Sequence, residues 1–224
     1  MSLGHRKSEF CSPCVTKSNN KQLVANLISS GVLRTPALIA ALETVDRADF
    51  LPPSERKWSY LDEPRPIGLG QTISQPWTVV FMLEKLAPAL GHKILDIGSG
   101  SGWQTALLAQ VAGPTGKVIG LELIPELCRL SRQNIAPYDF IRRGRVELHC
   151  QNAAIGFPTA APFDRIISAA AGPAVPPAWL AQLKVGGRLV APVDSTIVLV
   201  CKTAPDKFDQ EIFPGFAFVP FIDE

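Results

Sequence analysis

Apolar positions in the first third of the chain follow a helical period. A helix is predicted over residues 20–32 from apolar residues at helical spacing, namely Leu23, Val24, Leu27 and Ile28, with Gly31 as its stop. Thr35 and Pro36 have the residue types of an N-cap and a first helical turn, and they predict a second short helix that includes Leu42. Two helices therefore precede the main body of the chain.

Residues 45–76 form a long connection with several prolines and little periodicity. A connection of this length within a compact domain is usually functional or disordered. Its aromatic residues, Phe50, Trp58 and Tyr60, favour a packed loop.

Beyond Pro76 the pattern alternates between short apolar runs and amphipathic segments. Strands are predicted at KILDI, KVIGLEL, RVELHC, FDRIISAA, GGRLVAPV and STIVLVCKT, and helices at GWQTALLAQVAG, IPELCRLSRQNI and PPAWLAQLKVGG. Such alternation is typical of an α/β fold with a mostly parallel sheet covered on both faces. The last two strands lack a helix between them and predict an antiparallel pair at one edge.

The composition is that of an ordinary globular protein. With 224 residues, 46% hydrophobic and 19% charged, we expect a poorly specified tail over residues 1–19 and one domain over residues 20–224. The net charge of +2 gives no electrostatic reason to expect a nucleic-acid partner. No apolar run reaches the ~20 residues that a membrane-spanning helix needs, so no membrane partner is expected.

The five cysteines are an odd number, and three lie in predicted helices or strands, which indicates reduced thiols and a cytoplasmic location. Cys11 and Cys14 form a single CxxC pair. A zinc site needs a second pair or suitably spaced histidines, so no metal is expected.

A glycine-rich turn follows the first predicted sheet strand, in the segment ILDIGSGSGW. Gly98, Gly100 and Gly102 let the backbone turn sharply and approach a ligand closely. Glu122 ends the next strand, near the ~20-residue spacing of an acid that binds ribose hydroxyls. Together these features favour a nucleoside site.

The charge at this turn indicates which nucleoside it binds. Asp96 at its start repels a pyrophosphate and favours a cation, such as the sulfonium and amino groups of S-adenosylmethionine. The alternative is purely structural, with Asp96 capping a turn and Glu122 ending a solvated strand.

Three segments closely resemble the protein-L-isoaspartate O-methyltransferase family. They are PIGLGQTISQPWTVVFMLEKL, LDIGSGSGWQTALLA and FDRIISAAAGPAVPPAWLAQLKVGGRLVAPV, and GQTIS is the most specific of the motifs. The closing GFAFVPF also resembles the family's last strand. The resemblance implies a doubly wound, mostly parallel seven-stranded sheet of the Rossmann-like methyltransferase type, with extra N-terminal helices.

The resemblance also implies an activity in protein repair. A methyl group passes from S-adenosylmethionine to the free carboxylate of an isoaspartyl residue in a damaged protein or peptide, and the ester then cyclises to a succinimide. We expect a monomer. A carboxylate is ionised at neutral pH, so the acceptor needs positioning and no general base.

By the same resemblance, Ser74 is the catalytic residue and orients the acceptor carboxylate as a hydrogen-bond donor. Gly70 and Thr72 complete the substrate-binding set, since glycine leaves space for a peptide and threonine adds a hydroxyl. The alternative for Ser74 is a helix N-cap without a catalytic role.

The cofactor-binding set implied by the resemblance is larger. It comprises Ile73, Gln75, Pro76, Trp77, Asp96, Gly98, Ser99, Gly100, Glu122, Leu123, Asn152 and Ala153. Trp77 is equally explained as a core residue. Asn152 and Ala153 replace the Asp-Gly pair typical of the family near the adenine, which predicts weaker cofactor binding because a neutral acceptor replaces a charged one. Ile222 replaces a hydroxyl residue found in some relatives.

Two other functions remain open from the sequence. The first is methyl transfer to a small molecule or RNA, and the second is cofactor binding without catalysis.

Overall fold

The structure is a computed structural model that describes residues 17–221. Two helices come first in this part of the chain. They are α1 (Lys17–Ser29) and α2 (Pro36–Thr44). Thr35 precedes α2 as predicted, but its hydroxyl does not cap the helix and donates instead to Glu84 Oε2 at 2.7 Å. Cys11, Cys14 and Ile222 lie outside the described residues.

The long connection contains regular structure. Short 3₁₀ helices span Arg47–Phe50 and Arg56–Trp58, and a hairpin follows, formed by β1 (Arg65–Gly68) and β2 (Gln71–Ile73). Phe50 is fully buried, which confirms that this connection is packed. Helix α3 (Pro76–Leu86) begins just after the hairpin.

A seven-stranded sheet forms the centre of the fold and confirms the predicted α/β class. Its strands are β3 (Lys93–Ile97), β4 (Lys117–Glu122), β5 (Val146–Cys150), β6 (Phe163–Ser168), β7 (Leu183–Val193), β8 (Thr196–Ala204) and β9 (Lys207–Pro214). The order is β5-β4-β3-β6-β7-β8-β9. Strands β3 to β7 pair in parallel, and β8 and β9 add antiparallel pairs at one edge.

Helices cover both faces of this sheet. They are α4 (Trp103–Ala112), α5 (Pro125–Ile135) and α6 (Pro177–Ala181), together with α1 to α3. Successive residues of a strand point to opposite faces. Accordingly, Ile94 belongs to the buried cluster with α1 to α5, whereas Leu95 belongs to the cluster with Trp179 of α6.

The late part of the chain differs from the predictions in three ways. Helix α6 ends at Ala181, because Gln182 O accepts a hydrogen bond from Phe163 N and the following residues join the sheet as β7. Strand β9 was missed because its side chains are almost all exposed, so it lacks an apolar alternation. The GFAFVPF segment is not a strand, and Lys207–Pro214 is the last one.

Phe216 in that segment stacks on Trp77 and Phe81 instead of alternating between two faces of a sheet. Pro220 makes only an isolated bridge with Ala171 and has no N–H to continue a ladder. Within residues 17–221 no helix is both long enough and apolar enough to cross a membrane.

Candidate active site

The glycine-rich turn after β3 has a backbone that requires glycine. Gly98, Gly100 and Gly102 have φ of 75°, 54° and 96°, in the left-handed region. The N–H groups of Gly98 and Ser99 both donate to Leu121 O, which fixes the turn against β4. A side chain at position 100 would contact Ile67 Cδ1 at 3.5 Å, so the turn also lies close to the hairpin.

Glu122 lies where β4 ends, beside this turn. It is only 6% exposed, and its Oε2 accepts a hydrogen bond from Gly100 N at 2.8 Å. Its Oε1 accepts from Ile124 N at 3.0 Å. Each carboxylate oxygen of Glu122 can accept one further hydrogen bond, so the two oxygens together can still bind two hydroxyl donors.

Asp96 is fully buried at the end of β3. Its oxygens accept hydrogen bonds from Gln104 Nε2 and Thr105 Oγ1 of α4. Burial raises the pKa of Asp96 to about 6, although the two hydrogen bonds oppose this shift. Gln104 lines a cavity of the site and Asp96 does not, so the carboxylate lies one side chain behind the wall.

Three adjoining cavities surround the two glycine-rich turns. The inner cavity is lined by residues of the hairpin, the glycine turn and the ends of β4 to β6. A small connecting cavity lies between the glycine turn and Ser74. The outer cavity opens between the start of α3 and residues 214–219.

The cavities bring most of the predicted site residues together. Six predicted residues line the inner cavity, namely Thr72, Gly98, Gly100, Glu122, Leu123 and Ala153. Ile73, Ser74 and Ser99 line the connecting cavity, and Gln75 and Trp77 line the outer one. Thr72 is common to all three.

Ser74 lies at the boundary between the connecting and outer cavities and lines both. Its hydroxyl has no hydrogen-bond partner among residues 17–221. The N-cap residue of α3 is Gln75, and its side chain makes no capping hydrogen bond. The interpretation of Ser74 as a helix cap is therefore not supported, and its hydroxyl is available to a ligand.

Four predicted residues do not line these cavities, namely Gly70, Pro76, Asp96 and Asn152. Gly70 is exposed at the tip of the hairpin, and Pro76 is buried in α3. Asn152 Oδ1 accepts a hydrogen bond from Ala154 N at 2.7 Å, so this oxygen already supports the local turn. Trp77 is half-buried and stacks on Phe81 while it lines the outer cavity.

The sequence missed two walls of the inner cavity. Ala169 and Ala170 follow β6 and line it, as expected for residues at the carboxyl end of a parallel strand. Residues 219–221 cross the same edge, where Ala171 N donates to Val219 O at 2.9 Å and Phe221 N donates to Ala171 O at 2.7 Å. Nothing local in the sequence indicates the second contact.

Comparison with known proteins identifies the family. The sequence model described as "Protein-L-isoaspartate(D-aspartate) O-methyltransferase (PCMT)" matches residues 18–224. The chain belongs to this family.

Its relatives within the family cover nearly the whole chain. A protein-L-isoaspartate O-methyltransferase of Methanopyrus kandleri is 39% identical over 94% of each chain. A protein-L-isoaspartate O-methyltransferase 1 of Anaeromyxobacter sp. is 43% identical over 84% of this chain and 86% of its own. The family resemblance drawn from the GQTIS and glycine-loop motifs is thus confirmed.

A solved structure shows the same fold. It is described as that of a candidate protein-L-isoaspartate O-methyltransferase of Plasmodium falciparum in complex with S-adenosyl-L-homocysteine. It is 23% identical, covers 92% of this chain and 99% of its own, and superposes with a TM-score of 0.84. The Rossmann-like methyltransferase architecture is therefore confirmed as well.

Proposed function

We propose that the protein transfers a methyl group from S-adenosylmethionine to the free carboxylate of isoaspartyl residues in damaged proteins or peptides, which initiates their repair. The observation that carries the proposal is the position of Ser74. Its hydroxyl has no partner among residues 17–221, and Ser74 lines both the cavity beside the glycine turn and the outer cavity. Family membership supplies the reaction class.

The residues around the inner cavity suit S-adenosylmethionine. Glu122 offers carboxylate oxygens where ribose hydroxyls need acceptors, and glycines 98 and 100 leave room for a ligand next to the backbone. The buried Ser99 hydroxyl has no hydrogen-bond partner among residues 17–221, so it can bind a polar group of a ligand. When bound, the cofactor supplies an electrophilic methyl group on a positively charged sulfur.

The chain's own part in the reaction is to position the acceptor. An isoaspartyl carboxylate is ionised at neutral pH and is already a nucleophile. The Ser74 hydroxyl donates a hydrogen bond to this carboxylate and orients it toward the connecting cavity, with Thr72 as a second hydroxyl on the same wall. Orientation of this kind contributes up to ~7–11 kcal/mol in well-aligned cases.

The proposed cofactor set is the one predicted from the sequence. Some of its members line the cavities, and others lie behind the cavity walls. Gly98, Gly100, Glu122, Leu123 and Ala153 line the inner cavity and are proposed as direct contacts. Asp96 and Pro76 lie behind the walls, and Asn152 adjoins the wall residue Ala153, where the adenine is proposed to bind. The remaining members, Ile73, Ser99, Gln75 and Trp77, line the connecting and outer cavities.

A paired assay tests the proposal. Wild-type protein with labelled S-adenosylmethionine should methylate an isoaspartyl peptide and leave the matched aspartyl peptide unmodified. Equal labelling of both peptides, or of neither, would contradict the proposed acceptor. Calorimetric binding of the cofactor without transfer to any isoaspartyl peptide would instead identify a non-catalytic binding protein.

We further propose that the protein acts as a cytoplasmic monomer. The five cysteines are an odd number, and Cys128, Cys150 and Cys201 are free thiols, which is the pattern of a reducing compartment. Sedimentation of the purified protein at assay concentrations tests the monomer directly.

A further inference from the structure

Ser74 lies in a short segment that no regular hydrogen-bond ladder holds. Strand β2 ends at Ile73 and α3 begins at Pro76, so only Ser74 and Gln75 connect them. Pro76 has no N–H to donate. The direction of the Ser74 hydroxyl must therefore depend on contacts from other parts of the chain.

A buried arginine holds the carbonyl group of Ser74. The Arg47 side chain is 0% exposed, and its Nη2 donates to Ser74 O at 3.1 Å and to Glu63 O at 3.0 Å. Its Nη1 donates to Ser59 O at 2.6 Å. Arg47 thereby joins the backbone of Ser74 to the loop of residues 59–63.

The charge of Arg47 is retained at neutral pH. Burial lowers the pKa of Arg47 to about 9, an effect that the nearby Asp62 opposes. A buried guanidinium is costly unless its donors are satisfied. Carbonyl groups from two segments accept hydrogen bonds from its Nη1 and Nη2, whereas its Nε has no partner among residues 17–221. One of these carbonyl groups belongs to the residue that carries the proposed catalytic hydroxyl.

Asp62, which lies in the same loop, holds the residues that follow Ser74. Asp62 Oδ1 accepts a hydrogen bond from Trp77 N at 2.8 Å, and its Oδ2 accepts from Gln75 Nε2 at 3.2 Å. A carboxylate at the N-terminus of a helix is favoured both by the free N–H groups and by the helix dipole. Asp62 thus caps the N-terminus of α3, whereas the side chain of Gln75, the N-cap residue, does not.

We propose that Arg47 and Asp62 are positioning residues that together fix the segment of residues 74–77 and direct the Ser74 hydroxyl at the acceptor carboxylate. This inference rests on the proposed function. Neither residue lines the three cavities, so Arg47 acts through Ser74 and Asp62 acts through the two neighbouring residues Gln75 and Trp77.

Asp62 offers the cleaner test because it is exposed, so its replacement should leave the protein folded. Asp62→Ala should lower kcat for an isoaspartyl peptide about tenfold, since a displacement near 1 Å in a reacting group costs up to ~100-fold. The Kd of S-adenosylmethionine, measured by calorimetry, should stay within about twofold, because Asp62 makes no hydrogen bond to the residues of the inner cavity that are proposed as direct cofactor contacts. Asp62→Asn keeps one oxygen acceptor and should recover part of the rate.

Glu84 provides a matched control at the other end of the same helix. Its carboxylate accepts hydrogen bonds from the N–H groups of Arg34 and Thr35, as Asp62 does from Trp77, but far from Ser74 along α3. Glu84→Ala should leave kcat within about twofold per folded molecule. Arg47→Lys, which keeps the charge and loses the planar fork, should lower kcat without weakening cofactor binding.

Amide hydrogen exchange gives a readout that does not depend on turnover. Exchange at Trp77 should accelerate in Asp62→Ala and remain unchanged in Glu84→Ala. Equal kcat per folded molecule in the two alanine variants, with active wild type, would overturn the positioning role while leaving the proposed function intact. Wild-type protein that fails to methylate any isoaspartyl peptide would overturn both.

Discussion

The two glycine-rich turns that meet at the active site are built in different ways. Gly102, in the turn after β3, has no free space, since a side chain there would lie 2.9 Å from Ser131 Oγ and 3.0 Å from Ile135 Cδ1. Gly68 and Gly70, in the hairpin, have no atom of residues 17–221, other than those of adjacent residues, within 4 Å of the position that a Cβ would occupy. Both turns nevertheless use positive φ at their glycines.

The difference shows how each half of the site is held in place. The turn after β3 lies among the parallel strands β3 and β4 and the buried faces of α4 and α5. Packing in the core therefore fixes its shape. The segment that follows the hairpin, residues 74–77, is held by two side chains from earlier in the chain, Arg47 and Asp62. We therefore expect changes in the first turn to affect stability and changes beside the second to affect turnover.

The largest effect is expected from Gly102→Ala. The substitution adds a methyl group against Ser131 and Ile135 and forces alanine to a φ of 96°. Strain and overpacking together should lower the free energy of unfolding by about 2–4 kcal/mol. Urea denaturation measures the change, and an unaltered midpoint would show that the turn relaxes easily.

Ser74→Ala should have the next largest effect, confined to catalysis. Loss of a hydrogen bond to a charged carboxylate costs about 1.5–3 kcal/mol, which corresponds to a kcat roughly 10- to 150-fold lower. Cofactor affinity and thermal stability should hardly change, because the hydroxyl has no partner among residues 17–221. Ser54→Ala, at an exposed serine of the long connection, is the control, and equal kcat in both variants would remove Ser74 from the mechanism.

Asp96 should make cofactor binding depend on pH. Its pKa of about 6, raised by burial, means that acidification through pH 6 neutralises the carboxylate behind the glycine turn. Affinity for the cationic S-adenosylmethionine should then fall about tenfold, or ~1.4 kcal/mol, between pH 7.5 and pH 5. Calorimetry at both pH values checks this, and Asp96→Asn should bind with little pH dependence.

The same pKa also predicts a trend in stability. Between the ordinary aspartate value of 3.8 and about 6, the folded protein retains a proton that the unfolded chain has lost. The stabilising contribution is complete below pH 3.8 and is lost as the pH rises through 6. Unfolding of the ligand-free protein, compared with Asp96→Asn, should show this loss only in the wild type.

Gly70→Ala should cost less than Gly102→Ala because only the backbone conformation is unfavourable. Its φ is 73° and its surroundings are open, so about 1–2 kcal/mol of strain is expected without steric overlap. Comparison of the two variants by urea denaturation under identical conditions tests the contrast between the turns. A larger loss at position 70 would reverse it.

The smallest effect is expected from Asn152→Asp. A charged acceptor near the proposed adenine site strengthens a hydrogen bond about twofold, so cofactor affinity should rise severalfold. Ala154 N can still donate to the new carboxylate, which keeps the local turn. An unchanged Kd would show that position 152 does not reach the cofactor.

The fold was largely predictable because its determinants are local. The buried strands are short apolar runs, and glycines 98, 100 and 102 stand where a strand must turn into a helix. The GQTIS motif added the family, which periodicity alone could not supply. Strand β9 escaped prediction because an exposed edge strand gains its stability from backbone pairing with β8 and needs no apolar pattern.

The supports of the site were not predictable in the same way. Arg47 contacts Ser74 from 27 positions earlier in the chain, and Asp62 caps a helix that starts 14 residues later. A lone arginine in VDRADF and one carboxylate in an acidic loop have the composition of a solvated surface. Only the folded chain shows that Arg47 is buried and that both residues hold the segment of residues 74–77.

The contact of residues 219–221 with Ala171 has a consequence for protein synthesis. All nine strands are complete by Pro214, so a chain released early by the ribosome after Gly215 would retain the sheet. It would lack one wall of the inner cavity, which Val219, Pro220 and Phe221 provide. We expect such a truncated product to lack activity, so an antibody that detects the remaining chain would overestimate the amount of active enzyme.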